Sequence, residues 1–273
     1  MSYGRLVGLR PEDFEHPDEK VAMSVLRKIP MLDVVMAKYL DMQVQMTFYA
    51  EASGNYFRIT EKTNPRVYSL YKLALERLDM PKEYPLFCKQ SYNYNAMAIG
   101  ADDPFILLHS STVANCSDGE MLTLLGHELG HIKCGHVKYY GLANNINGIL
   151  ARIGGLASSA AVGLQYAIQD WRRKAEYSAD RAGLIASGDI NAAISYRMNT
   201  LGRSENIKDI DFSVDRVLRQ VEDFDIETSD IIGKLLYVSY TMKSTHPWSI
   251  LRIKQINEWY DSGEYDRLVA KYQ

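Results

Sequence analysis

The sequence predicts an α+β protein, mostly helical with a small sheet. Three observations lead there. Capped segments with apolar residues at helical spacing open at Asn64-Pro65 and at Ser117. Three short apolar runs, residues 86–89, 95–99 and 105–109, have the length of strands. Beyond Asp180 the pattern is helical, clearest over residues 215–221, 230–242 and 248–261.

In chain order, residues 17–28 read as a helix with Pro17 near its first turn, and Asp33 as the cap of a short helix after it. Residues 43–49 and 56–60 flank Ala52-Ser53-Gly54-Asn55 and read as strand, turn and strand. Asn64 then caps a helix that reaches about Leu78, with Pro65 at its first position. The three short strands follow, the last two joined by a turn at residues 100–103. The expected organisation is an N-terminal helical segment with a short hairpin (1–85), packed on a core of residues 86–273 as one compact unit.

Ser117-Asp118-Gly119-Glu120 fits a capping box, and Met121, Leu124, Leu125 and Leu129 follow at helical spacing. This predicts a helix from Asp118 to about Tyr140. Inside it lies His127-Glu128-Leu129-Gly130-His131. Histidines four apart share one helical face and can reach one metal ion, and the intervening glutamate can sit beside a metal-bound water as its general base. Gly126 and Gly130 each cost about 1 kcal/mol of helix stability relative to alanine. Either they admit a close neighbour or they are simply tolerated. His136, about 140° around a continuous helix from His131, reads as a non-ligand.

Catalytic zinc takes three protein ligands and a water. Cys88, Cys116 and Cys134 show no C-x-x-C spacing, so a cysteine-rich site is not expected. Cys134 reads as a small buried hydrophobe. Glu176 is the best candidate for a third ligand. Asp180, four residues on, shares its face and can accept the outer N–H of a ligand histidine. A solvated charged helix is the alternative reading of that stretch, since Arg172, Arg173 and Lys174 lie within it.

The ordered set H-E-L-G-H, then E-Y-S-A-D-R-A from Glu176, then Ser244-Thr245-His246-Pro247 with Arg252-Ile253 resembles the gluzincin metallopeptidases of the CAAX prenyl endopeptidase and HtpX-like heat-shock protease family. The resemblance extends to Asn95-Ala96-Met97-Ala98 and the run from Pro104 to Leu108. It implies a zincin-like fold with the sheet beside the zinc helix. It also implies one Zn2+ held by His127, His131 and Glu176, Glu128 as general base, and Asp180 orienting a ligand, His127 foremost. His246 and Arg252 are implied near the metal, His246 as a donor to the developing oxyanion. Ala96, Met97 and Ala98 are implied as a cleft-edge strand offering backbone groups to an extended substrate, an inner strand being the alternative. His109, after the next strand, reads as packed or exposed rather than catalytic.

The expected activity is therefore zinc-dependent endopeptidase hydrolysis of peptide or protein substrates. A latent zinc-containing binding module and a membrane-associated quality-control protease are the alternatives. A net charge of −3 gives no general reason to bind nucleic acid. Many members of the resembling family span membranes, but the best stretch here, residues 153–169, is short, rich in Gly, Ala and Ser, and bounded by Arg152 and Asp170. It reads as a buried or amphipathic helix. Unpatterned cysteines and a polar N-terminal stretch point to the cytoplasm, with peripheral membrane association open.

Overall fold

A computed structural model describes residues 4–29, 31–41, 44–152, 159–202, 212–227 and 246–273. The helices are α1 (Pro11–Phe14), α2 (Pro17–Leu26), α3 (Met31–Asp41), α4 (Val44–Asn55), α5 (Pro65–Arg77), α6 (Ser110–Asn115), α7 (Asp118–Lys133), α8 (His136–Arg152), α9 (Ser159–Ser187), α10 (Ile190–Met198), α11 (Val214–Glu227), α12 (Ser249–Asp261) and α13 (Glu264–Tyr272). The strands are β1 (Phe57–Arg58), β2 (Leu86–Lys89), β3 (Ala96–Ile99) and β4 (Phe105–His109). They form one sheet in the order β1-β2-β4-β3, with β2 and β4 parallel and the outer pairs antiparallel.

Strand alternation gives the sheet two faces. Leu86, Ala96, Ile106 and Leu108 enter the main core with Leu124, Leu125 and Leu129 of α7. Phe87, Phe105 and Leu107 turn the other way and pack with Ala52 of α4. The main core draws on both ends of the chain, from Leu6 and Phe14 to Trp259 and Leu268. A second core joins α2, α3, α8 and the first half of α9, and a third joins α10, α11 and α12.

Two expected elements differ. The strand and turn expected at residues 43–55 are helix α4. Val44, Met46 and Phe48 alternate in the sequence, but tertiary packing selects a helical face. Tyr49 stands edge-on to Phe87 and Phe105, and Ala52, three residues on, sits fully buried against the sheet. The expected helix from Asp118 to Tyr140 is two helices. Gly135 adopts φ 72° and its N–H bonds Ile132 O at 3.1 Å, which ends α7 before α8 begins at His136.

The Ser117 capping box forms as expected: Ser117 Oγ accepts from Glu120 N–H at 3.3 Å, and Glu120 accepts from Ser117 N–H at 2.9 Å. Asn64 caps α5 through Val67 N–H at 3.1 Å. Asp33 lies within the first turn of α3. The last expected long helix begins at Ser249 with Trp248 as its cap, so Pro247 lies just outside it. The helix expected at residues 230–242 lies outside the described residues, as do 153–158 of the apolar stretch. From Ser159 that stretch is the start of α9, with Ala161, Leu164 and Ile168 buried and Val162 and Tyr166 exposed, a one-sided pattern. Among the described residues no helix is long and apolar enough to cross a membrane.

Candidate active site

The site is built on the contact between α7 and α9. A Cβ on Gly126 would stand 2.2 Å from Ala186 Cβ, and one on Gly130 2.5 Å from Ala182 Cβ. The glycines of α7 and the alanines of α9 thus let the two backbones close on each other. The two readings of these glycines resolve in favour of close approach. Burial of this face also decides between the readings of residues 172–180: Ala175, Ala179 and Ala182 are fully buried, so this is not a solvated charged helix.

That closeness brings Glu176 to the two histidines of α7. His131 Nε2 lies 3.1 Å from His127 Nε2, and the two lie 3.6 Å from Glu176 Oε1 and Oε2 respectively. One ligand atom from each residue falls within 4.8 Å of the others, so the three can hold a metal ion. All three are buried, His127 at 4% exposed.

Their protonation states suit a cation. Burial and the Arg197 guanidinium push His127 down to about 4, against the pull of Asp180. Burial and the neighbouring His127 hold His131 well below the usual histidine range. Burial alone would raise Glu176, but Arg252 and the surrounding imidazoles hold it well below the usual carboxylate range. Two neutral imidazoles and one carboxylate form the donor set that a zinc-like ion takes, with its ligands already deprotonated. The residues present therefore fit the metal.

Glu128 is also buried, and its environment differs. Burial, then the charge of Glu176, raise its carboxyl to about 8, partly offset by a hydrogen bond from the Ala98 backbone N–H. The source of that bond is informative. Asn95 O accepts from His109 N–H at 3.1 Å, and antiparallel alternation then turns Met97 and Ile99 toward β4 as well. Ala96 and Ala98 face their peptide groups outward from the sheet edge. β3 is a terminal strand of the sheet, not an inner one.

Asp180 sits behind His127, with Oδ1 3.1 Å from its Nδ1. Arg252 donates to both oxygens of Asp180 at 2.7 Å and reaches Glu176 Oε2 at 2.7 Å. Arg197 donates to the same Asp180 oxygen at 2.5 Å. Against their burial, these cations keep Asp180 ionised far into acid. Tyr140 donates to Glu176 Oε1 at 2.6 Å. His246 lines the cleft with its side chain half exposed, Nε2 3.8 Å from Glu176 Oε1 and beyond hydrogen-bond reach.

The cleft has a volume of about 470 Å³ and is bounded by Met97 and Ala98 of β3, Tyr140 of α8, Tyr196 of α10 and His246. No motif marks Arg197 or Tyr140; both reach the site through packing of α10 and α8. His109 is buried with Nδ1 3.0 Å from Asn93 O and lies outside the lining of the cleft. His136 is not one of the trio, but it touches a member: its Nδ1 is 2.9 Å from His131 Nδ1. A continuous helix would have carried it away, and the break at Gly135 returns it. Cys134 caps α7 and sits half-buried against the main core, and no two described cysteines are joined.

A helix bearing two histidines and a glutamate, packed on a second helix that presents a further glutamate and flanked by a sheet edge, is the arrangement of a zincin-like metallopeptidase. Residues 61–260 match Peptidase family M48, and the chain belongs to that family. The chain is also similar to the plastoglobule-localized metallopeptidase 48, chloroplastic, of Arabidopsis thaliana: 30% identical over 266 residues, covering 96% of this chain and 76% of that protein. No solved structure matches it. The family agrees with the resemblance drawn from the motifs.

Proposed function

We propose that the protein is a zinc-dependent metalloendopeptidase, with the metal held by His127, His131 and Glu176 and with Glu128 as general base. The observation that carries this is the convergence of two imidazoles and a carboxylate, with one ligand atom from each within 4.8 Å of the others, in a cleft that Glu128 also lines. When bound, zinc supplies Lewis acidity, acidifying water and polarising the scissile carbonyl. Asp180 accepts a hydrogen bond from the Nδ1–H of His127 and so aims its Nε2 at the metal position. Arg252 and Arg197 keep Asp180 charged and fixed.

Glu128, held by the Ala98 N–H, accepts the proton of the attacking water and delivers it to the leaving amine nitrogen. His246 donates to the carbonyl oxygen as negative charge builds on it. Ala96, through both peptide groups, and Ala98, through its carbonyl, hydrogen-bond an extended peptide laid along β3, and Met97 contributes to the wall. Cys88, Cys116 and Cys134 are free thiols, which suits a reducing compartment such as the cytoplasm. The Arabidopsis protein is plastoglobule-localized, which makes membrane or lipid association the second setting to test.

The test is cleavage of an unstructured casein-type substrate by the purified full chain. Chelation should abolish turnover and stoichiometric zinc should restore it. Turnover that survives complete metal removal would refute the reading.

A further inference from the structure

We infer that His136 and Glu19 form a positioning relay that fixes the metal-binding tautomer of His131, with its carboxylate supplied by the N-terminal helix α2. The inference rests on the proposed metal set. His131 turns Nε2 toward His127 and Glu176, which leaves Nδ1 as its outer nitrogen. That nitrogen lies 2.9 Å from His136 Nδ1. The other nitrogen of His136, Nε2, lies 2.8 Å from Glu19 Oε1, off the line of a straight hydrogen bond. His136 is 1% exposed and Glu19 4%, so water does not compete for either.

Donor arithmetic sets the direction of the chain. Trp171 Nε1–H lies 3.2 Å from Glu19 Oε1, and an indole nitrogen can only donate. Ser178 Oγ accepts the His16 backbone N–H at 2.8 Å, which leaves its own proton for Glu19 Oε2. Glu19 is therefore a carboxylate that accepts from Trp171 and Ser178, so a neutral His136 turns its N–H on Nε2 to Glu19 and offers Nδ1 as an acceptor. His131 must then hold its proton on Nδ1, and its Nε2 lone pair is free for a metal.

The two histidines of the motif are thus anchored differently. His127 meets its carboxylate, Asp180, directly; His131 meets Glu19 through an intervening imidazole. Helix α9 serves both anchors, with Glu176 and Asp180 facing α7 while Trp171 and Ser178 hold Glu19 on α2. Neither His136 nor Glu19 lines the cleft, so they are positioning residues.

The test is zinc affinity of the full chain by chelator competition, with the visible spectrum of the Co2+ form and the melting temperature of the metal-free protein read alongside. His136→Phe keeps the ring but removes the acceptor, and should weaken zinc binding about 10–100-fold and shift the Co2+ bands. His136→Asn restores an oxygen acceptor where Nδ1 stood and should recover to within about threefold of wild type. Glu19→Gln, which keeps the size of the side chain, should weaken binding about tenfold and serves if His136→Phe does not fold. A purely structural role would lower the metal-free melting temperature and leave Phe and Asn equally weak. Wild-type affinity in His136→Phe or Glu19→Gln, or no recovery in His136→Asn, would overturn the relay. His131→Ala separates the two ideas: if it binds zinc like wild type, the metal set itself is wrong. If it loses zinc while His136→Phe and Glu19→Gln keep it, only the relay is wrong.

Discussion

Arg252 meets Asp180 through two parallel hydrogen bonds of 2.7 Å, one to each carboxylate oxygen. Its remaining nitrogen reaches Glu176 at 2.7 Å, so one guanidinium ties the proposed third ligand to the residue that orients the first. Arg252→Ala would leave two buried carboxylates short of a cation. A loss of about 3–5 kcal/mol is expected in urea unfolding, the scale for breaking a buried pair. Arg252→Lys should recover little, because a point charge cannot make the bidentate contact and reach Glu176 together.

Gly126 is the tightest point of the α7–α9 contact, where a Cβ would meet Ala186 at 2.2 Å. Helix propensity alone predicts that Gly126→Ala stabilises by about 1 kcal/mol. Overpacking predicts a loss of about 1–3 kcal/mol, and the backbone of α9 close behind leaves no room to yield, so destabilisation is expected. Adding Ala186→Gly should return part of the loss. A denaturation cycle with no coupling between the two positions would contradict the close approach.

Zinc should couple to stability. With free zinc at a thousand times its dissociation constant, the folded state gains about 4 kcal/mol, seen as a melting temperature several degrees above that of the chelated protein. His131→Ala and Glu176→Ala should each remove most of that gain. A shift of equal size in both variants would place the metal elsewhere.

Asp13 ties the two ends of the chain together, accepting from Tyr272 Oη at 2.6 Å, Lys271 Nζ at 3.0 Å and Arg10 N–H at 2.9 Å. Burial opposes ionisation, but these donors outweigh it and hold the carboxyl below its usual range. A depressed folded pKa gives stability that is complete above the unfolded value near 4 and fades as pH falls toward the folded one. Asp13→Asn should therefore cost about 2 kcal/mol at pH 7. The gap between wild type and variant should narrow below about pH 4. A gap that widens in acid would refute the assignment.

Much of the site was legible because it is local. The capping box, the histidine pair and Glu128 lie within one helix, whose spacing alone sets which side chains share a face. Glu176 and Asp180 were legible as a pair four apart and as candidates to serve the histidine helix, but spacing left a solvated helix open until the resemblance to a family was drawn. Arg197, Tyr140 and the Glu19–His136 pair were not legible, since no spacing rule joins α2, α8 and α10 to the site before the chain folds. The placement of His136 was missed for a more local reason. Gly135 was visible in the sequence, and a helix end there, with a left-handed glycine, would have freed His136 from the position that a continuous helix assigns. Helix α4 was misread because Ala52-Ser53-Gly54-Asn55 reads locally as a turn, while the sheet partners that hold Tyr49 and Ala52 on a helix are distant in sequence.

In the proposed mechanism Glu128 moves the proton that makes water a nucleophile, beside a metal it does not hold. Glu128→Gln keeps the size of the side chain and removes the base. Measured on one unstructured protein substrate, the variant should bind zinc at wild-type stoichiometry while kcat falls by at least about 10²–10⁴-fold. Wild-type turnover with zinc bound would contradict the mechanism directly.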